Sequence, residues 1–148
     1  MAHYAENRKA RFNYEILGKY EAGIELLGSE VKSVREGQMS LEGAFVIIRG
    51  GEAYLINANI PPYQPKNAQK DYDPLRNRRL LLTKKEIAEL AGSEKNKSLT
   101  IVPISVYNKG RKIKIEIATV KGKKKFDKRE TIKKRDMDRE IRREYKDR

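Results

Sequence analysis

The stretch that decides the fold is YEILGKYEAGIEL, which runs from Tyr14 to Leu26. Its even positions are apolar: Tyr14, Ile16, Tyr20, Ala22, Ile24 and Leu26. Its odd positions include the charged residues Glu15, Lys19, Glu21 and Glu25. Because side chains alternate between the two faces of a strand, this pattern predicts a long, half-buried strand. A bend is expected at Gly18 or Gly23, since glycine inside a strand often marks one.

Capping residues predict two short helices downstream of this strand. Ser29 is placed to cap a helix from Glu30 to Glu36. Thr83 at the N-cap and Glu86 three residues later form the capping-box pattern of a second helix, which is expected to close at Gly92.

Four further apolar runs predict strands: Phe45 to Arg49, Tyr54 to Ile60, Leu99 to Tyr107 and Arg111 to Val120. The first two are separated by Gly50, Gly51 and Glu52, which indicates a hairpin. Five strands, two short helices and no regular alternation of strand and helix favour a mainly β protein, an OB-like antiparallel β-barrel over residues 13–120. A β-sandwich is the competing architecture.

Residues 1–12 are polar and predict a flexible N-terminal arm.

The last 28 residues, 121–148, carry fourteen Lys or Arg against seven Asp or Glu, and so hold +7 of the total formal charge of +13. Their apolar residues are too few to offset the ordering entropy, so a basic C-terminal tail that is disordered when free is expected. Basic tails of this kind bind nucleic acid more often than other partners. Further phosphate contacts are expected from Arg8, Lys9, Arg11 and the run from Arg76 to Arg79.

Catalysis, metal binding and membrane insertion have no sequence support. The 148-residue chain contains no Cys, and its one His, His3, lies in the predicted loose arm, where no second group is expected to position it. No nucleophile elbow, phosphate-binding glycine loop or calcium-loop spacing occurs, so no cofactor and no metal are expected. The longest apolar runs are too short to span a bilayer, and no secretory signal follows Met1, which predicts a cytoplasmic binding protein. The protein is expected to be a monomer.

Several segments together resemble the SmpB (small protein B) family, whose members are SsrA-binding proteins. The matching segments are NRKAR (Asn7 to Arg11), YEAGIELLGSEVKSVREG (Tyr20 to Gly37), GEAYLINANIPPY (Gly51 to Tyr63), DPLRNRRLLLTKKEI (Asp73 to Ile87) and GKKKFDKRETIKKR (Gly122 to Arg135). The resemblance implies an OB-like barrel that binds the tRNA-like domain of transfer-messenger RNA (tmRNA) and stands in for its missing anticodon arm. It also implies a tail that becomes helical in the empty mRNA channel, near the decoding centre and small-subunit ribosomal RNA. In this way stalled ribosomes are rescued by trans-translation, without catalysis by the protein.

The resemblance carries over to individual residues in two groups. The residues expected at the tRNA-like domain are Arg8, Lys9, Arg11, Glu21, Leu81 and Lys114. The residues expected at the ribosome are Lys121, Gly122, Lys123, Lys124, Phe126, Asp127, Lys128 and Arg129, of which the first four match a flexible basic hinge. From the residues alone, the preferred interpretation of Glu21 is a surface carboxylate paired with a lysine, and a leucine such as Leu81 is more often a core residue; only the resemblance favours RNA contacts for both.

Three positions depart from the family pattern: Phe12 stands where His is common, Asn13 where an acid is usual, and Met137 where Trp is frequent.

The second interpretation of the chain is a ribosomal protein or a general OB-fold single-strand RNA-binding protein. A metal-dependent nuclease is the third.

Overall fold

Three helices and seven strands lie in the residues that this computed structural model describes, 3–64 and 71–122. In chain order they are β1 (His3–Glu6), α1 (Arg8–Asn13), β2 (Tyr14–Ile24), α2 (Gly28–Arg35), β3 (Phe45–Arg49), β4 (Glu52–Ile56), β5 (Arg78–Leu81), α3 (Lys84–Glu94), β6 (Leu99–Lys109) and β7 (Lys112–Gly122).

All seven strands join one antiparallel sheet in the order β1-β6-β7-β2-β5-β4-β3. The sheet curls until β3 lies beside β6, although no hydrogen-bonded ladder joins these two strands. The prediction of a mainly β, OB-like antiparallel barrel with short helices is therefore confirmed, with the barrel left open between β3 and β6. A single curled sheet rules out the competing β-sandwich for the part of the chain described.

The long strand predicted from Tyr14 is β2, but a bulge between Ile16 and Gly18 changes what its alternation means. After the bulge, Tyr20 and Ala22 point to the inner face of the sheet, where the main core lies. Before it, Ile16 points to the outer face and packs with a second apolar cluster under α1. One extra residue in a strand moves every following side chain to the opposite face. The even positions therefore serve two cores, one on each face.

The prediction of a flexible arm over residues 1–12 is wrong for residues 3–12. Strand β1 pairs with β6, and α1 packs Ala10 onto the outer face. Asn7 joins the two elements: its Oδ1 accepts from Ala10 N at 3.1 Å, and its Nδ2 donates to Pro103 O at 3.0 Å. A single amide side chain thus caps the helix and anchors it to β6.

The helix predictions differ in accuracy at their starts. Thr83 caps α3 as predicted, because its hydroxyl accepts from Glu86 N at 3.2 Å while Glu86 Oε1 accepts from Thr83 N at 3.0 Å. The helix continues past Gly92 to Glu94. Helix α2 begins at Gly28 rather than after Ser29. The backbone N–H of Leu27, the N-cap residue, has no partner within the helix and donates to Glu30 Oε1 at 2.8 Å. A side chain in the first turn of the helix therefore caps the helix N-terminus.

The predicted hairpin between the second and third predicted strands is confirmed, but the strand predicted from Tyr54 to Ile60 is observed as Glu52–Ile56 and ends before Asn57, whose φ is 62°. Gly50 and Gly51 join β3 to β4, and both have positive φ (58° and 74°), as a two-residue type I′ turn requires. Strand β7 extends to Gly122, and Lys121 pairs with Glu15 and Leu99 on either side. The predicted hinge is therefore wrong at Lys121 and Gly122, which belong to the sheet. The remaining predicted tail, residues 123–148, lies outside the described residues.

An ion-pair network between α2 and β5 corrects the expectation of phosphate contacts for two members of the run from Arg76 to Arg79, namely Arg76 and Arg78. Arg78 is fully buried, and its Nε and Nη2 donate to Glu30 Oε2 at 3.0 and 2.5 Å. Arg76 binds the same carboxylate. Burial alone would raise the pKa of Glu30, but the hydrogen bonds from Arg76, Leu27 N and Arg78 outweigh it and lower this pKa below its ordinary value. Arg76 and Arg78 therefore hold α2 in place.

Candidate functional site

A basic groove of about 330 Å³ opens where the end of β2 meets β5, α2 and β7. Four of the residues that line it are basic: Arg35, Arg111, Lys112 and Lys114. Helix α2 is fastened here because Arg35 Nη2 donates to Arg111 O at 3.2 Å. Since the described residues that line the groove include no acidic side chain, its charge favours an anionic ligand.

Leu81 forms an apolar edge of this groove. It follows the buried Leu80 on β5, so strand alternation turns its side chain outward, and it is 47% exposed. It lies over Gly23, its partner on β2: a Cβ at Gly23 would come within 3.1 Å of Leu81 Cβ. Glycine at position 23 thus lets a large apolar side chain lie against the sheet. The alternative that Leu81 is a core residue is wrong.

Glu21 lies on the same outer face of the sheet, two residues before Gly23. Its Oε2 accepts from the Tyr107 hydroxyl at 2.5 Å, and its Oε1 accepts from Lys109 Nζ at 2.9 Å. The hydrogen bonds from Tyr107 and Lys109 lower the pKa of this carboxyl, so it is ionised at neutral pH. The alternative of a carboxylate paired with a lysine is therefore what the structure shows. The pairing leaves acceptor capacity, because an ionised carboxylate offers about four lone-pair sites.

Strand register brings Glu21, Leu81 and Lys114 onto one surface, which we call the outer-face site. Gly23 pairs with Leu81 on one side and with Lys114 on the other. Lys114 in turn pairs with Tyr107 on β6. The surface combines a fixed acceptor, an exposed apolar side chain and several cations. Such a set can accept hydrogen bonds from bases or 2′-hydroxyls, contact an unstacked base and neutralise phosphate.

Helix α1, on which the three predicted basic residues of the N-terminal segment occur, lies apart from the groove. Helix α1 covers the opposite end of the outer face, where Ala118 and Val120 pack beneath it. Arg8 is exposed on this helix, and Lys9 is bound to Glu42 through its Nζ. For Arg11 only the helical backbone is described, and its side chain lies outside the description. Arg8 and Lys9 are not part of the groove that contains Leu81 and Lys114.

The structure describes two of the eight residues predicted to contact the ribosome. Lys121 and Gly122 are exposed at the end of β7, where Gly122 pairs with Tyr14. The other predicted residues fall outside the described part of the chain: Lys123, Lys124, Phe126, Asp127, Lys128 and Arg129.

Sequence reasoning missed the partners of Glu21 and most of the groove. Tyr107 and Lys109 lie 86 and 88 residues away along the chain, and only the registers of β6, β7 and β2 reveal them. The sequence predicts no group that positions His3, but its ring meets the Tyr107 ring edge to face, with centroids 6.0 Å apart and an interplanar angle of 63°. Once β1 is recognised, its pairing of His3 with Tyr107 predicts this contact.

Among the described residues, no group of three or more His, Cys, Asp or Glu side chains could hold a metal ion. Within the same residues, no helix is long and apolar enough to cross a membrane.

Comparison with known proteins gives consistent matches along the chain. The family model described as SmpB protein matches residues 4–147. A protein from a Sulfurihydrogenibium species, named SsrA-binding protein, is 56% identical over 142 residues, covering 96% of this chain and 93% of the relative. Proteins of the same name from Elusimicrobium minutum and Mesoplasma florum are each 54% identical over 142 residues; each alignment covers 96% of this chain, with 90% and 95% of the relatives.

A solved structure is also similar. It is described as "tmRNA-SmpB: a journey to the center of the bacterial ribosome" and aligns with a TM-score of 0.68 at 45% identity, covering 81% of this chain and 84% of the solved one.

Proposed function

The chain belongs to the SmpB family, and from that premise we propose that it binds tmRNA and acts with it in trans-translation on the ribosome. The observation that carries this proposal is the outer-face site, where Glu21, Leu81 and Lys114 meet on one surface although they lie far apart in the chain. Relatives named SsrA-binding protein and a solved neighbour described as tmRNA-SmpB support it. The proposed activity is binding, with no catalysis by the protein, and it belongs in the cytoplasm with the ribosome.

We assign each component of the outer-face site a different task toward the tRNA-like domain. Lys114 and the neighbouring Arg35, Arg111 and Lys112 neutralise backbone phosphates, which supplies affinity without reading sequence. Leu81 contacts an unstacked base. Glu21 accepts hydrogen bonds from base amino groups or a 2′-hydroxyl, because a carboxylate beside a polyanion is costly unless it gains such bonds. Arg8, Lys9 and Arg11 add phosphate contacts from α1.

We further propose that the barrel stands in for the anticodon arm that the tRNA-like domain lacks. The basic residues after β7, with Phe126 among them, then enter the empty mRNA channel of the small subunit near the decoding centre. An aromatic residue between Lys125 and Lys128 can stack on a base while its neighbours neutralise phosphate. The thin apolar row of Met137, Ile141 and Tyr145 supports a helix only where ribosomal RNA surrounds it, since a short isolated helix is marginal in water.

Glu21→Ala is expected to weaken binding to the tRNA-like domain by roughly tenfold, the cost of one or two hydrogen bonds to a charged group. General electrostatics predicts the opposite, because the substitution removes a negative charge from a surface that meets a polyanion. The measurement is a titration of labelled tRNA-like RNA, competed with ordinary tRNA at matched salt. Tighter or unchanged binding by a normally folded variant would remove Glu21 from the site.

Lys114→Ala is the comparison that changes the charge in the opposite direction, because it removes a positive charge from the same surface. It should weaken binding to both the tRNA-like RNA and ordinary tRNA, and it should reduce the slope of log affinity against log salt by about one, since one phosphate contact is lost.

If about six phosphates are neutralised, the slope of log affinity against log salt for the unmodified chain lies near −4 to −5. A slope near zero would mean that the basic surface does not meet RNA. Equal affinity for tRNA and the tRNA-like domain would favour the general single-strand RNA-binding protein instead.

A further inference from the structure

We infer that Tyr107 is a positioning residue for Glu21: its buried hydroxyl holds the carboxylate in the orientation that reads RNA, without itself contacting RNA. This inference rests on the proposed role of Glu21. It goes beyond that role, because it assigns the orientation of the Glu21 carboxylate to a residue on a different strand. The strongest observation is that Glu21, an otherwise exposed side chain, is tied at both carboxylate oxygens to β6.

The Tyr107 side chain is fixed more firmly than the group it holds. It is only 6% exposed, although it lies on the outer face of the sheet. His3 on β1 packs edge to face against its ring. A ring enclosed in this way keeps one orientation, so its hydroxyl stays in one place relative to β2. Exposed glutamate side chains instead move among several rotamers, and fixing one costs conformational entropy on binding.

The two donors to Glu21 differ in how well they define its geometry. Lys109 is 60% exposed on a flexible stem, and its ammonium acts as a mobile point charge. Tyr107 donates from a rigid ring at 2.5 Å, a short distance typical of hydroxyl bonds to a carboxylate. Burial and the hydrogen bond to Glu21 raise the pKa of Tyr107 far above its ordinary value, so the hydroxyl remains protonated. Tyr107 therefore sets the direction of the carboxylate, whereas Lys109 mainly supplies charge.

The donors from β6 leave other lone pairs of the carboxylate free for RNA. One donor on each oxygen uses two of the roughly four acceptor sites that an ionised carboxylate offers. Preorganised acceptors of this kind bind more tightly than mobile ones, because less ordering is needed when the partner arrives. Without the hydroxyl, Glu21 would still be present and ionised but free to rotate away.

The chain offers a matched control in Tyr20. The Tyr20 hydroxyl donates to Glu89 Oε2 at 2.9 Å, the same kind of bond between a tyrosine and a glutamate. Tyr20 packs on the inner face toward α3, away from the groove. Tyr20→Phe therefore removes an equivalent hydroxyl without touching the outer-face site, and Tyr107→Phe removes the hydroxyl while keeping the ring that packs against His3.

The test is a double-mutant cycle with the tRNA-like domain of tmRNA as the probe. Tyr107→Phe should bind about three- to tenfold more weakly, whereas Tyr20→Phe should bind normally. In a Glu21→Ala background, Tyr107→Phe should cause no further loss, since there is no carboxylate left to orient. An equal loss in both backgrounds would mean that the hydroxyl contacts RNA itself, and no loss in either would remove Tyr107 from recognition; both results overturn the inference.

An NMR titration of the Glu21 side-chain carboxyl in the free protein gives a second readout that a purely structural role would not move. The charged or titratable groups around Glu21 are Tyr107 and Lys109 on β6, Lys114 and Glu116 on β7, Lys19 on β2, and His3 behind Tyr107. Tyr107→Phe should raise the pKa of Glu21 while thermal unfolding stays within a few degrees. An unmoved pKa would contradict the inference. If Glu21→Ala itself binds RNA normally, the proposed function of the site fails first.

Discussion

Replacing Glu30 with alanine is expected to destabilise the fold by about 3–5 kcal/mol, because it leaves Arg78 buried without a counter-charge. Arg78 is fully buried, and its other contacts are backbone Ala58 O at 2.7 Å and the Tyr72 hydroxyl at 3.3 Å. A guanidinium in that position cannot lose its proton, so the cost cannot be avoided by neutralisation. The same variant frees the Leu27 N–H and loosens α2 beside the groove.

Glu25→Ala is the matched comparison for this prediction. Glu25 also faces an arginine, Arg79, but at 3.7 Å, and its side chain is 53% exposed. Exposed pairs of this kind contribute little, so a change within about 0.5 kcal/mol is expected. Urea unfolding followed by circular dichroism measures both variants. A loss below about 1 kcal/mol for Glu30→Ala would show that the network does not hold the fold.

The pH dependence of stability follows from the same network. The pKa of Glu30 is lowered in the folded state, so its contribution is fully present above the ordinary glutamate range. This contribution is lost as the pH falls through the folded-state pKa, because the protonated carboxyl no longer balances Arg76 and Arg78. The unfolding free energy of the unmodified chain should therefore fall more steeply on acidification than that of Glu30→Gln.

Deleting residues 125–148 is expected to abolish peptide tagging on stalled ribosomes while changing affinity for the tRNA-like domain by no more than roughly tenfold. The outer-face site, made by Glu21, Leu81 and Lys114, lies within the described residues, on β2, β5 and β7. The deleted stretch carries a net charge of +4, from eleven Lys or Arg and seven Asp or Glu, so its loss removes only a general electrostatic contribution. Tagging instead requires the segment that we propose enters the mRNA channel.

Two point substitutions make this prediction sharper. Phe126→Ala should remove part of the tagging activity, since stacking of one aromatic residue on a base contributes about 1–3 kcal/mol. Met137→Ala should remove less of the tagging activity than Phe126→Ala, because a methionine side chain does not stack on a base as an aromatic ring does. A truncated chain that still supports normal tagging in a reconstituted translation reaction would contradict the division of work between barrel and tail.

Local signals predicted the elements whose evidence is contained in a few neighbouring residues. The capping box of Thr83 and Glu86, the paired glycines at 50 and 51 and the alternation around Glu21 each involve only short-range geometry. The resemblance to the SmpB family was confirmed over nearly the whole chain.

Predictions failed where long-range pairing decides the outcome. β1 carries no apolar pattern and is held by its ladder to β6. Apolar residues occupy the even positions of β2 both before and after the bulge between Ile16 and Gly18, so the sequence does not reveal the bulge. The side chains after the bulge nevertheless point to the opposite face of the sheet. Arg78 is buried only because Glu30, 48 residues away, supplies its counter-charge. The family resemblance indicates Glu21 as a site residue, whereas its hydrogen-bond partner Tyr107 can be identified only from the register of the strands.

The most direct test of the central claim, that this chain binds tmRNA, is sequencing of the RNA that remains on the affinity-tagged chain after purification from its own cells. A wash at moderate salt removes RNA held by charge alone, because such binding falls steeply with salt. The account predicts that tmRNA is enriched far above its share of total RNA and that Glu21→Ala reduces this enrichment. A retained pool of ordinary tRNA or ribosomal RNA, with no enrichment of tmRNA, would contradict it.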